Sequence, residues 1–523
     1  MKKNLIRLSV VAALTTSSFA SDINKEMLNQ IQALKAQIEA LEKKVAEQDV
    51  KQQAQTSAVT TVDEKRIEKI EKKLDTVSNT ATAAKIQSGN DNLKWDVDFR
   101  TQVDNIQYKH ADGSKSENNA LLTNRLWLGM AYKADDNSSF HGKLSYNKAF
   151  GDTANHSQSN TNPGYANFDW VTNENATDNT IKLKEAYWLY TQEKLFGSDI
   201  PWAASVGRRP STDGLPINIR NDQQANSPLS HVVDVEFDGF SIKFDTDTLT
   251  GLTGSWLKIC GGRGLTNAVP RFDMFSPAYS QDDDKNVDVD MLGFIAVPYD
   301  DGQYSVHMNY AKAWNLIGFD GQSLQSFNTT SSPSSTTAYN LQMATPSFKD
   351  VGDIDFATIL FKTEGIGDGI SDYLDNTIAF ASFAASKTNP NSLGMLGSTD
   401  SETGTSVWLG INAPCPITPD VAKIGFEWNK GSKYWRSMTY GEDTYAGSKI
   451  ATRGQAWEVY RNQQLTKSLT WGVSYVFMDY DYTGSNSFFG ADGTPMTMSQ
   501  AQAADQNPVA EAQDVRTYIR YKF

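Results

Sequence analysis

VRTYIRYKF, Val515 to Phe523, is the stretch on which the fold turns. Val515, Thr517, Ile519, Tyr521 and Phe523 share one face of an extended strand, and Arg516, Tyr518, Arg520 and Lys522 share the other. Successive side chains of a strand point to opposite sides, so this is a period of two carried to the last residue. An apolar face opposite a charged face suits a wall between lipid and water. An amphipathic edge strand of a soluble sheet carries the same pattern, so the rest of the chain decides.

The period of two recurs from Leu93 onward. Leu93, Trp95, Val97, Phe99, Thr101 and Val103 alternate with Lys94, Asp96, Asp98, Arg100, Gln102 and Asp104, and Leu469, Trp471, Val473, Tyr475 and Phe477 repeat it late in the chain. Six consecutive polar residues on one face of a strand require that face to meet water. About sixteen strands are expected, with cores at 93–104, 122–133, 140–149, 181–192, 201–208, 232–244, 249–259, 287–297, 304–314, 354–363, 376–386, 404–413, 421–430, 452–461, 467–479 and 514–523. Short connections (134–139, 245–248, 298–303, 413–420, 462–467) alternate with long ones rich in Asn, Ser, Gly and Thr (151–179, 209–231, 260–286, 315–353, 431–450, 481–513). Short turns at one end and long loops at the other are the asymmetry of a transmembrane antiparallel β-barrel, which also calls for an even strand count. Two segments resist the pattern: Glu185 shares the parity of Ile181 and Leu183, and the apolar parity of 233–244 switches at Gly239, where a bulge is expected.

The chain opens MKKNLIRLSVVAALTTSSFA, with basic Lys2, Lys3 and Arg7, a short apolar core and a small-residue cleavage site at Ala20. This reads as a secretory signal peptide over 1–20. Its removal changes the net charge from −14 to −17, and an acidic chain of this size is a poor nucleic-acid binder. The remaining sequence has no apolar run of transmembrane-helix length, whereas a barrel averages to a polar composition because its two faces alternate. The 12 Trp and 21 Tyr suit the aromatic girdles of such a barrel.

Between the leader and the strands, 21–88 reads as a stalk. Met27, Ile31, Leu34, Ile38, Leu41 and Val45 form an a/d heptad stripe, the core of a short α-helical coiled coil. A second stripe, Ile67, Ile70, Leu74, Val77, Ala81 and Ala84, runs one residue out of register with it. A pair of helices folded on each other is the alternative to an oligomeric coil, and the core residues leave the stoichiometry open. The barrel is expected over 89–523.

Little in the sequence points to catalysis, cofactors or metals. The five His residues are scattered, outside any zinc-protease or nucleophile-elbow spacing. Asp282, Asp283, Asp284, Asp288 and Asp290 crowd one stretch without the spacing of a calcium loop, so an acidic rim is expected. Cys260 and Cys415 fall at opposite ends of the expected barrel and are expected to be unpaired. By parity Lys94, Arg100, Lys143, Lys243, Arg516, Arg520 and Lys522 face inward with Asp96, Asp98, Asp234, Glu236, Asp288, Asp290 and Glu427, and neither sign dominates.

LKEAYWLY (183–190) followed by WAASVGRRPSTDGLP (202–216), with GRRPSTDG (207–214) as the best motif, resembles the signature region of a porin-like outer-membrane family of Gram-negative bacteria. That family is mostly of unknown function and combines an N-terminal coiled coil with a C-terminal barrel. The resemblance covers roughly residues 90 to 523. It implies an outer-membrane protein with a pore and names no solute; taken with the strands, the expectation is a porin for passive diffusion of small polar solutes, with no catalytic residue. By analogy with general porins it implies a homotrimer, with membrane lipid and the outer-membrane assembly machinery as partners. Tyr521 and Phe523 resemble the terminal assembly signal of such barrels. In general porins the third loop narrows the channel, and here that loop carries Arg208, Arg209, Arg220, Asp213 and Asp222. Opposed Arg and Asp in a neck create a transverse field that filters polar solutes. The rival reading is a structural barrel that tethers the envelope or acts as an adhesin.

Overall fold

Sixteen antiparallel strands close on themselves in sequence order. They are β1 Leu93–His110, β2 Lys115–Lys133, β3 Ser138–Ala149, β4 Lys182–Gln192, β5 Trp202–Arg209, β6 Phe237–Asp245, β7 Trp256–Leu265 and β8 Val289–Asp300. The second half comprises β9 Tyr304–Trp314, β10 Gly352–Glu364, β11 Ile378–Pro390, β12 Thr403–Pro414, β13 Ala422–Gly431, β14 Gly454–Gln464, β15 Leu469–Tyr480 and β16 Val509–Lys522. This computed structural model describes residues 93–152, 176, 179–265, 288–319, 348–367, 369–439, 444–485 and 493–523. The expected signal peptide (1–20), the expected stalk (21–88) with its stripe from Met27 to Val45, and Asp282 to Asp284 lie outside the described residues. One compact unit comprises Trp95–Ala131 and Asn137–Phe523. No described helix is long and apolar enough to cross a membrane.

The alternation in the sequence becomes the two surfaces of the wall. Along β16, Val515, Ile519 and Tyr521 point outward and are exposed, while Ala512, Asp514 and Arg520 point inward and are buried. Phe140 of β3, Phe240 of β6, Phe294 of β8, Phe383 of β11, Phe426 of β13 and Tyr475 of β15 are likewise exposed on the outer face. Closure leaves no free edge: β16 pairs with β15 on one side and with β1 on the other, in the register Asp98↔Lys522 and Asp104↔Arg516. At this seam Arg516 Nε lies 2.6 Å from Asp104 Oδ1, Arg520 is ion-paired to Asp98, and Phe523 and Val97 exchange two backbone hydrogen bonds of 3.0 Å.

Four expectations need correction. The sixth strand starts at Phe237, not 232, because Val232, Val233 and Val235 bury their side chains inside the barrel rather than in its wall. The switch at Gly239 is therefore no bulge; β5 and β6 pair there without a register shift. The seventh strand starts at Trp256, not 249: Asp247–Thr250 is a helical turn ended by Gly251 at φ 69°, with Leu249 and Leu252 exposed. Consequently Cys260 sits within β7 rather than at the start of a loop, and both Cys260 and Cys415 are free thiols. The parity of Glu185 is resolved by a register shift beside Lys143, which turns Glu185 inward into an ion pair with Lys143.

Candidate functional site

The connection 210–236, between β5 and β6, runs through the barrel interior. Pro210, Pro216 and Pro228 limit its backbone freedom, and Ile217–Arg220 forms one helical turn, α1. Its apolar side chains decide where it lies. Leu215, Ile217, Ile219 and Leu229 pack on Leu360 of β10, Phe380 of β11 and Trp408 of β12, all inward-facing. Val232, Val233 and Val235 pack on Val289, Ala313, Ile354 and Phe356 of β8 to β10. Burying this much apolar surface is the driving force that draws a loop into an otherwise polar lumen.

Polar anchors then fix its register. His231 is fully buried; its Nδ1 lies 2.7 Å from Ser382 Oγ and its Nε2 3.0 Å from Ser406 Oγ, with Trp408 and Trp435 edge-on at 5.6 Å. Burial pushes its pKa down to about 3, so the imidazole is neutral. Val233 and Asp234 pair in parallel with Met438 and Thr439 of the connection 432–453, which therefore shares the interior. From that second loop Lys449, fully buried, bonds both Glu427 of β13 and Glu458 of β14, and Arg220 Nη1 reaches Glu458 Oε2 at 2.5 Å.

The five residues singled out from the sequence fall in four places. Arg208 and Arg209 remain in the wall at the end of β5, where Arg208 Nε donates to Lys184 O at 3.1 Å and Nη1 lies 3.5 Å from Asp238. Arg220 spans to β14, committed to Glu458. Asp222 offers its backbone carbonyl to Lys522 Nζ at 3.3 Å, next to the Asn221 carbonyl that accepts from Arg520. Asp213 is central. Its φ of 57° lies in the left-handed region, its N–H donates to Asp234 Oδ1 at 2.8 Å, and Asn221 Nδ2 donates to its Oδ1 at 2.9 Å. Burial raises its pKa, but the fields of Lys184 and Arg125 and the hydrogen bonds from Gln223 and Asn221 outweigh that, so the carboxyl titrates below its ordinary range.

A narrow polar gap remains between the loop and the wall. Arg100, Arg125, Trp127 and Arg516 of β1, β2 and β16 border it, as do Asp213, Asp234, Thr212, Ile217 and Asn221 of the loop and Tyr445. Wall arginines and loop aspartates thus border the same gap. Lys184 stands at its edge, bonded to Thr212 Oγ1 at 2.8 Å and Glu236 Oε1 at 2.5 Å. Sequence reasoning placed Arg100 on the inner face but missed Arg125, Trp127, His231 and Lys449. His231 and Lys449 lie in connections, where only the apolar neighbours Leu229, Val232, Val233 and Ile450 hinted at burial. Among the described residues no cluster of His, Cys, Asp or Glu could hold a metal, and Asp288 and Asp290 instead pair with Arg263.

The model of a family described as a protein of unknown function (DUF3373) matches residues 115–523. No curated protein matches the chain. Among solved structures it is similar to Pseudomonas putida OprB, at 11% identity and TM-score 0.44, over 82% of this chain and 94% of that one. It is similar also to OmpF of Salmonella typhi in complex with daunomycin, at 10% identity and TM-score 0.42, over 83% and 99%. An anion-selective porin from Comamonas acidovorans matches at 12% identity and TM-score 0.41, over 82% and 100%.

Proposed function

The chain belongs to the DUF3373 family, and we propose that it is an outer-membrane porin, a water-filled channel for passive diffusion of small polar solutes. The observation that carries this reading is the polar gap left where an inward-folded loop crosses a closed barrel whose outer face is apolar. An exposed apolar band on a closed barrel has its natural solvent in lipid. A sixteen-strand barrel is wide enough for an aqueous channel. Within it, Arg100, Arg125 and Arg516 on the wall and Asp213 and Asp234 on the loop border one gap. Such opposed charges orient water and polar solutes and resist apolar ones. In this proposal the protein is no enzyme, Arg208, Arg209, Arg220, Asp213 and Asp222 hold or line the constriction, and the barrels associate as homotrimers. The leader is removed on export, the assembly machinery reads Tyr521 and Phe523, and the stalk stands in the periplasm.

The test is conductance. Purified full-length protein in a planar bilayer is expected to give discrete current steps in potassium chloride, and their absence would overturn the porin reading. One observation favours a second reading: Trp435, Lys449, Glu427 and Trp408 are fully buried where the two loops meet the wall, as in a sealed barrel. A barrel without steps whose export still anchors the cell envelope would be the structural alternative.

A further inference from the structure

Three positive groups crowd the gap, and they are not equally matched. Arg125 Nη2 lies 3.0 Å from Asp98 Oδ2, and Arg516 Nε lies 2.6 Å from Asp104 Oδ1. Arg100 makes no ion pair within 4.0 Å among the described residues, although the Asp98 carboxylate, already bonded to Arg125 and Arg520, lies within its field; its guanidinium sits over the ring of Tyr518, at 5.7 Å. Its Nε is buried and meets no acceptor. Two further donors on this wall share that condition: Arg125 Nε and Trp127 Nε1. Both residues are almost fully buried, at 7% and 4% exposure, and both border the gap. Trp127 is also the surface on which the cations are stacked, with Arg125 Cζ 3.6 Å and Lys184 Nζ 4.9 Å from its ring centroid.

Unmet donors in a buried site are costly, and water that fills the gap satisfies hydrogen bonds without cancelling charge. Only an anion does both. We propose that this wall is a binding subsite for a small monocarboxylate, held in the fork of Arg100 and assisted by Arg125 and Trp127. The inference rests on the porin reading for its purpose, since the subsite lies on the proposed permeation path. A planar carboxylate matches a guanidinium in two parallel hydrogen bonds, which a spherical halide cannot make. Asp213 and Asp234 across the gap set the valence: a second negative charge on the solute would face them, whereas a hydroxyl or ammonium would be welcome there.

Isothermal titration of sodium propionate into the detergent-solubilised full-length protein, at constant ionic strength made up with sodium chloride, tests the site. Saturable binding is expected for the wild type. Arg100→Ala should weaken it by about a hundredfold, the loss of the two charge-assisted hydrogen bonds of the fork. Arg100→Lys, which keeps the charge but not the fork, should bind between the two. Both variants remove or soften a repulsion, and heat-modifiable gel mobility verifies that each is folded. No saturable binding to the wild type, or equal affinity in Arg100→Ala, would overturn the subsite. Chloride displacing propionate at equal concentration would overturn the fork and leave a diffuse field. The porin reading fails separately: current steps without propionate binding sink only the subsite, and binding without steps sinks only the channel.

Discussion

Replacing Lys449 by Met should release the loop 432–453 from the inner wall. The ammonium is fully buried between Glu427, also fully buried, and Glu458, 2.6 Å away. Arg220 completes the set, 2.5 Å from Glu458 and 3.8 Å from Glu427, so two cations meet two anions. Methionine keeps much of the stem's volume and removes one charge. Glu427 would then keep Trp408 Nε1 at 3.1 Å, with its Oε1 already lacking a partner. Removing one member of a buried ion pair costs about 3–5 kcal/mol, because the remaining charge has nowhere to go. That corresponds to a rise of roughly two to three and a half decades in the undocked fraction of the loop. Trypsin reads this fraction directly: Lys433 and Arg436 lie in the loop, Arg436 is buried, and cleavage follows the open population when reclosing is fast. The folded wild type should resist nicking, and Lys449→Met should be cut there while its strands stay intact. Adding Glu427→Gln restores neutrality and should recover most of the protection. Wild-type resistance in Lys449→Met would refute the reasoning and show the cluster to be incidental.

Two other outcomes are expected. His231 is held neutral by burial, with a pKa of about 3 against 6.5 when free, so its docked contact is complete above pH 6.5 and weakens as the pH falls toward 3. The undocked ring gains a proton that the docked ring refuses, at about 1.4 kcal/mol per pH unit. Hydrogen-exchange protection of amides 229–233 should drop roughly a hundredfold between about pH 6.5 and 4.5, and His231→Gln should abolish that dependence; an acid response unchanged in the variant would count against it. Deleting Phe523 removes both backbone bonds to Val97 and should lower the amount of assembled barrel in the membrane fraction, measured by heat-modifiable gel shift; undiminished levels would argue against a role in assembly.

The wall was legible in the sequence because its rule is local. Each strand repeats a two-residue period, so Val515 to Phe523 and Leu93 to Asp104 declare their faces without reference to partners. The interior was not. Val233 and Val235 obey the same alternation as a wall strand, yet they pack against Ile354 and Phe356, some 120 residues away in sequence. Nothing within the segment distinguishes an apolar face meeting lipid from one meeting the inside of a barrel. The site shows the same division. Asp213 and Arg220 stood out as charges in a stiff loop, but Asn221 and Asp234 meet Asp213 only once the loop folds on itself, and Arg220 meets Glu427 and Glu458 only where the loop lands on the wall. Arg125 and Trp127 sit on the inner face of β2 beside Arg100, and that proximity follows from strand pairing rather than from spacing along the chain.

The seam between β1 and β16 carries a kinetic consequence. Arg520 bonds Asp98 across 422 positions of sequence. Every other strand pairing in the wall joins neighbours in chain order, but this seam closes a ring of the whole domain. The loop-closure entropy for that separation is about 5 kcal/mol, beyond a constant, by the logarithmic rule. Until it is met, β1 and β16 present two unpaired edges, each able to accept the wrong strand or another chain. Non-local closure of this kind is slow. The seam's ion pairs then serve as a check on alignment. A slip of two residues would set Arg516 against Gln102 or Ile106 in place of Asp104, and the inward face would hold uncompensated charge. Correct closure is thus the step at which a mismatched barrel is rejected.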